Sequence, residues 1–110
     1  MEGLTVSSER RGDAIHLSLR GELDIAAAPR IEDALREAEE QGPATVVLDL
    51  SELVFMDSTG LRTILAADAR AKEASRRLVV VQGDENIQRV FEVTRLHERV
   101  EIVESPDDVR

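Results

Sequence analysis

Cysteine, tryptophan and tyrosine are absent from this chain of 110 residues, and lysine occurs once, as Lys72. Without cysteine there can be no disulfides and no thiolate metal ligands. Phe55 and Phe91 are the only aromatic side chains, so there is no platform for stacking bases. A core must be assembled from Leu, Ile, Val and Ala, with those two rings as its largest pieces. No apolar run approaches the ~20 residues that span a bilayer, and the first five residues lack the basic start and apolar stretch of a signal peptide. A cytoplasmic protein with no membrane partner is expected. Acids outnumber bases 23 to 14, a formal charge of −9. Such a chain repels a phosphate backbone, which argues against direct nucleic-acid binding and favours a basic or neutral partner surface. This length suits one domain, residues 1–110, with a core from about 4 to 103 and a C-terminal stub at 104–110.

What is present reads as alternating strands and helices. Leu4 and Val6 alternate with polar neighbours, Arg11-Gly12-Asp13 offers a turn, and Ile15, Leu17 and Leu19 resume the alternation, which predicts a hairpin with one buried face. His16 then falls on the other face. Ile31, Ala34, Leu35 and Ala38 mark the buried stripe of a helix that Pro29 opens and Gly42-Pro43 stops. Thr45 to Leu50 and Leu78 to Val81 are β-branched runs suited to strands buried on both faces. A helix with Leu61, Ile64, Leu65 and Ala69 inward separates them. A third helix follows Gly83-Asp84, with Ile87, Val90 and Phe91 inward, and Val100 to Val103 is a closing strand; Ser105 to Asp108 reads as a frayed end or a single turn.

The expected fold class is therefore α/β, a mixed and mostly parallel sheet packed with helices in the order β-β-α-β-α-β-α-β. Helical crossovers make the last four strands parallel and put the strand-to-helix loops on one edge. That edge should gather Gly21 to Asp24, Asp57 to Gly60 and Gly83-Asp84.

Asp57-Ser58-Thr59-Gly60 is the one place where small polar, phosphorylatable residues interrupt the apolar pattern. It reads as a short loop entering a helix, with Asp57 and Ser58 both able to cap it. A serine hydrolase would need Gly-x-Ser-x-Gly, but position 56 is Met, and neither His16 nor His97 is placed on that edge. An aspartic protease needs Asp-Ser/Thr-Gly in an all-β lobe. A receiver domain needs a lysine after its last strand, whereas Lys72 lies in a helix. No Gly-rich phosphate loop is present, so no cofactor or metal is expected. A purely structural reading, Ser58 as a helix cap worth ~1 kcal/mol, does not explain why so many small polar residues gather at this edge.

Val46-Val47-Leu48-Asp49-Leu50, then Phe55-Met56-Asp57-Ser58-Thr59-Gly60-Leu61 and Ile64-Leu65, with Gly21-Glu22-Leu23-Asp24 upstream, resemble the sulfate transporter and anti-sigma factor antagonist (STAS) domain. The similarity extends from about Leu4 to Val103 and is greatest to its stand-alone bacterial anti-sigma factor antagonists. The resemblance implies a binding protein rather than an enzyme. Its unphosphorylated form would bind an anti-sigma factor, a serine kinase of ATPase fold, and so release a sigma factor. Phosphorylation of Ser58 would abolish binding, and a PP2C-type serine phosphatase would reset it. The resemblance makes Ser58 the phosphoacceptor and Asp24 a partner contact. Asp57 would orient the loop and contribute to recognition, Thr59 and Gly60 would keep the helix start low enough for a kinase to approach and so belong to the partner-binding surface, and Arg62 would point outward as a contact, with Leu61 and Ile64 in the core. The free protein would be a monomer or weak dimer. A rival reading is a constitutive STAS scaffold subunit of a larger regulatory or envelope-transport assembly. Two departures from the family pattern stand out: Arg95-Leu96 where glycine is frequent, which predicts a helix end without a left-handed cap, and a stub in place of the C-terminal helix.

Overall fold

In the computed structural model, which describes residues 3–109, the first alternating runs form a hairpin of β1 (Leu4–Arg11) and β2 (Ala14–Leu23). Gly12, at φ 61°, supplies the left-handed residue that its two-residue turn requires. Then follow a 3-10 turn (Ile25–Ala27), α1 (Ala28–Glu40), β3 (Thr45–Met56), α2 (Ser58–Glu73), β4 (Arg77–Val81) and α3 (Glu85–Thr94). A second 3-10 turn (Leu96–Glu98), β5 (Glu101–Val103) and a third turn (Pro106–Asp108) complete the chain. The five-stranded sheet has the order β1-β2-β3-β4-β5, with β1 antiparallel to β2 and the remaining pairs parallel. This is the α/β class and element order expected from the sequence.

Every parallel crossover steps one strand in the same direction, so right-handed connections place all three helices on one face. There Ile15, Leu17, Leu48 and Val80 pack with Ile31 and Leu35 of α1, Ile64 and Ala67 of α2, and Ile87 and Phe91 of α3. Burying each such Leu, Ile or Phe contributes ~1.5–3 kcal/mol. On the opposite face Val47, Val79 and Val81 are covered by Val103 and Val109. The chain end is held there by a capping box, in which Ser105 Oγ accepts the Asp107 N–H and Asp108 accepts the Ser105 N–H, each at 3.2 Å. Among the described residues no helix is long and apolar enough to cross a membrane.

Four local expectations need correction. The central strand does not stop at Leu50 but runs on to Met56, past the end of β4, because β2 continues beside it. Gly21 lies opposite Leu53 while Glu22 lies opposite Phe55, so Val54 is an extra residue, a bulge that turns the strand outward. Phe55 is therefore 46 % exposed and is not a core ring, whereas Phe91 is buried. In α2 the inward stripe is Thr59, Gly60, Thr63, Ile64, Ala67 and Ala71; Leu61 and Leu65 are half-buried and pack against the core as expected, whereas Ala69 is exposed. Finally, α3 does end on a left-handed residue: Arg95 adopts φ 59°, ψ 34°, and its N–H bonds back to Glu92 and Phe91 carbonyls. Those backbone bonds hold the residue in a conformation that costs ~1–2 kcal/mol for a side chain with a Cβ, and the exposed Arg95–Glu98 ion pair at 2.8 Å adds little.

Candidate functional site

Only Asp57 separates β3 from α2, so Ser58 is the first helical residue and the expected short loop is a single amino acid. Asp57 is the N-cap: with extended backbone, its Oδ1 accepts the Thr59 N–H at 2.8 Å. Ser58 shares none of this capping, contrary to the reading that either residue could do so. Its hydroxyl is exposed and makes no hydrogen bond among the described residues. A nucleophilic oxygen with nothing to hold it, at the positive end of a helix, can be approached and modified without disturbing the fold.

The β2 end is fastened to this point. The Asp57 N–H donates to the Leu23 carbonyl at 3.3 Å, which sets Asp24 beside the start of α2. Asp24 is half-buried, and its Oδ1 accepts the Ala27 N–H at 3.2 Å, capping the 3-10 turn that leads into α1. Gly21 makes the bend possible. Its φ is +105°, and a Cβ there would lie 2.2 Å from the Gly3 carbonyl oxygen, which accepts the Glu22 N–H at 3.1 Å. The third expected loop does not join them. A Cβ on Gly83 would meet the Leu50 carbonyl at 2.6 Å, so Gly83-Asp84 sits at the level of Leu50, well short of Ser58.

Thr59 and Gly60 are buried. A Cβ on Gly60 would stand 2.4 Å from Met56 Cγ and 3.0 Å from Leu23 Cδ2, so the glycine lets α2 sit directly on the strand ends. Gly60 shapes the edge from below, and the nearly buried Thr59 forms part of the floor of a notch between α1 and α2. Arg62 is exposed and Ile64 is buried, as expected for their positions on α2.

What sequence reasoning missed is apolar. Ile25, Val54 and Phe55 are 72 %, 59 % and 46 % exposed, and all lie within a few residues of Asp24 or Ser58. Ile25 also rims a notch of about 300 Å³ between α1 and α2, together with Ala28, Glu32, Arg62 and Ala66. The sequence signal was the run Leu53-Val54-Phe55-Met56, since a strand of period two cannot turn four consecutive side chains inward. His16 lies at the far end of the sheet opposite Val47, roughly 30 Å from Met56 at ~3.3 Å per residue, and His97 lies in the turn after α3. Neither serves Ser58 as a base. Among the described residues no acidic or histidine cluster could hold a metal ion.

Residues 6–104 match the family described as "Mlab, STAS domain". The chain belongs to the STAS domain family. A relative from Listeria monocytogenes, an anti-sigma-B factor antagonist, is 32 % identical over 94 residues, covering 86 % of this chain and 82 % of that one. The crystal structure of an anti-sigma factor antagonist from Mycobacterium paratuberculosis superposes with a TM-score of 0.88 at 25 % identity, over 96 % of this chain and 90 % of that one. Bacillus SpoIIAA, solved in unphosphorylated and phosphorylated forms, shares the STAS fold at 21 % identity. The TM-scores are 0.74 and 0.73, over 94 % and 96 % of this chain and 92 % and 96 % of those. In this STAS domain the motif that carried the resemblance therefore occupies the edge where the two capped loops meet.

Proposed function

We propose that this STAS protein is an anti-sigma factor antagonist whose binding is switched at Ser58. Unphosphorylated, it binds an anti-sigma factor that is also a serine kinase, and the bound sigma factor is released. The kinase transfers the γ-phosphoryl group of ATP to Ser58 Oγ, with ADP leaving and the hydroxyl proton lost, and the complex separates. A PP2C-type phosphatase restores the hydroxyl. In this role the chain is a substrate and a ligand, not an enzyme.

The observation that carries this reading is the setting of Ser58. Its free hydroxyl is exposed, between two half-buried carboxylates that are already engaged as caps, Asp57 and Asp24. Exposed Ile25 shares a notch with Arg62 on the same helix, and exposed Val54 and Phe55 lie four and three residues before the serine in the chain. In this reading a partner that docks on this edge closes over the hydroxyl as well. A phosphate adds ~−1.5 to −2 charges there, next to acids and within a surface that loses its water on binding. A penalty of ~4 kcal/mol weakens such a complex about a thousandfold. Asp24, Asp57 and Arg62 act as contacts at the rim, and Thr59 and Gly60 act through the shape they give the helix start.

The test is phosphopeptide mass spectrometry on protein recovered from its own cells, with affinity capture by wild type, Ser58→Ala and Ser58→Asp. Phosphate on Ser58, and an ATPase-type partner retained by the alanine variant and lost by the aspartate variant, is the expected result. An unmodified Ser58 with identical partners for all three forms would instead establish a constitutive scaffold subunit.

A further inference from the structure

We propose that Arg62 is the built-in counter-ion of a phosphate on Ser58, binding it in cis across one helical turn. The inference rests on Ser58 being the phosphoacceptor. Ser58 and Arg62 are four residues apart on α2 and both exposed. With Thr59, Gly60, Thr63 and Ala67 turned inward, Ser58, Arg62 and Ala66 form one solvent stripe. Side chains at this spacing lie ~5–6 Å apart at Cβ. Long helical side chains lean toward the N-terminus of their helix, which carries the guanidinium back over position 58. An anion N-terminal to a cation is also the favourable order for such a pair.

Arg62 is uncommitted in the unmodified protein. Elsewhere on the same helix Arg70 is held by Glu39 at 2.9 Å and Lys72 by Asp68 at 2.8 Å, but among the described residues Arg62 has no ion pair or hydrogen bond. Three acids surround the position: Asp57 on the same helix end, Asp24 on the 3-10 turn, and Glu32 of α1, which shares the notch with Arg62. None holds the guanidinium. A phosphomonoester dianion carries more charge than any one of them and offers oxygens matched to the guanidinium fork. Its capture draws Arg62 along the rim of the notch lined by Ile25, Ala28 and Ala66. Modification of one hydroxyl thereby alters the partner surface at two points.

The experiment uses the full chain with phosphoserine placed at position 58 during translation, so that no kinase is needed. The second ionisation of the phosphate, near pH 6, is followed by phosphorus NMR in wild type, Arg62→Gln and Arg62→Lys, with Arg89→Gln on α3 as control. Asp57, Asp24 and Glu32 all raise this pKa and Arg62 lowers it. The expected result is a midpoint about 0.3 unit or more lower in wild type and Arg89→Gln than in Arg62→Gln. Arg62→Lys should lie between, and the gap should narrow at high salt. Superimposable wild-type and Arg62→Gln titrations would overturn the proposal. That result leaves the Ser58 switch standing, whereas an unmodified Ser58 in cells removes the switch and not the charge pair.

Discussion

The backbone N–H of Asp57 donates to the carbonyl of Leu23 at 3.3 Å, so the end of β3 and the end of β2 are one rigid edge. Each is followed at once by an aspartate that caps a helical turn, Asp57 for α2 and Asp24 for the turn into α1. The exposed serine is thus mounted on capped, sheet-anchored backbone. A modification there would change the surface and not the fold.

Capping and modification are consequently separable by mutation. Asp57→Ala should lower stability by about 1 kcal/mol and Asp57→Asn by less, because asparagine also caps. Ser58→Ala should stay within ~0.5 kcal/mol, since its hydroxyl bonds to nothing. Urea denaturation of the three variants checks this. A loss at Ser58→Ala equal to that at Asp57→Ala would mean that the serine is part of the cap after all.

Gly60→Ala should destabilise although alanine favours a helix interior by ~1 kcal/mol. The added methyl would lie 2.4 Å from Met56 Cγ and 2.9 Å from its sulfur, and overpacking of this kind costs ~1–3 kcal/mol. Combining Gly60→Ala with Met56→Ala makes room and should recover part of the packing loss. Thermal denaturation of the single and double variants measures the coupling.

The exposed apolar residues give a test of the partner surface. Ile25→Ser and Phe55→Ser should each weaken binding of the proposed anti-sigma partner at least tenfold, a loss of about 1.4 kcal/mol, with little change in stability. Val93, 77 % exposed on α3, serves as control, and Val93→Ser should change neither. Titration calorimetry reads the affinities. Equal behaviour of all three variants would move the interface elsewhere.

Arg95→Gly should stabilise the protein by about 0.5–1 kcal/mol. Glycine adopts the left-handed conformation at the end of α3 without the steric cost that arginine bears, and the Arg95–Glu98 pair that is lost is largely exposed and worth little. Urea denaturation should show a higher midpoint and an unchanged slope.

Stability should decline toward acid in two stages. Burial, then the nearby Arg11 charge, hold His16 below its ordinary value of 6.5, against the opposing pull of Glu9 and Asp49. The unfolded chain then binds the proton more readily, so this contribution is complete above pH 6.5 and is lost as pH falls through the lower folded value. The hydrogen bond from Arg77 holds Glu101 below 4.5; its contribution is present above pH 4.5 and lost as pH falls further. The second effect is small and salt-sensitive, because both side chains are about a third or more exposed. His16→Asn should flatten the first stage and Glu101→Gln the second, in urea denaturation repeated across pH.

Periodicity alone determined the class of fold. Period two in the hairpin and period 3.6 in the helices turn Ile15, Leu17, Ile31, Leu35, Ile87 and Phe91 inward whatever their neighbours do, and short helical crossovers leave little choice of strand direction. The Asp-Ser-Thr-Gly motif was equally legible, because small polar residues stand out against an apolar run. What the tertiary structure decided depends on which elements end beside one another. Because β2 outlasts β4, β3 has a partner up to Met56, and the loop shrinks to Asp57. The run Leu53-Val54-Phe55-Met56 shows that some apolar side chain must face outward, but only the mismatch with β2, a bulge, decides that Val54 and Phe55 are the exposed ones. Burial of Thr59 and Gly60 and the freedom of Ser58 follow from how α2 lies on Met56 and Leu23. These are contacts between residues distant in sequence, and no local pattern encodes them.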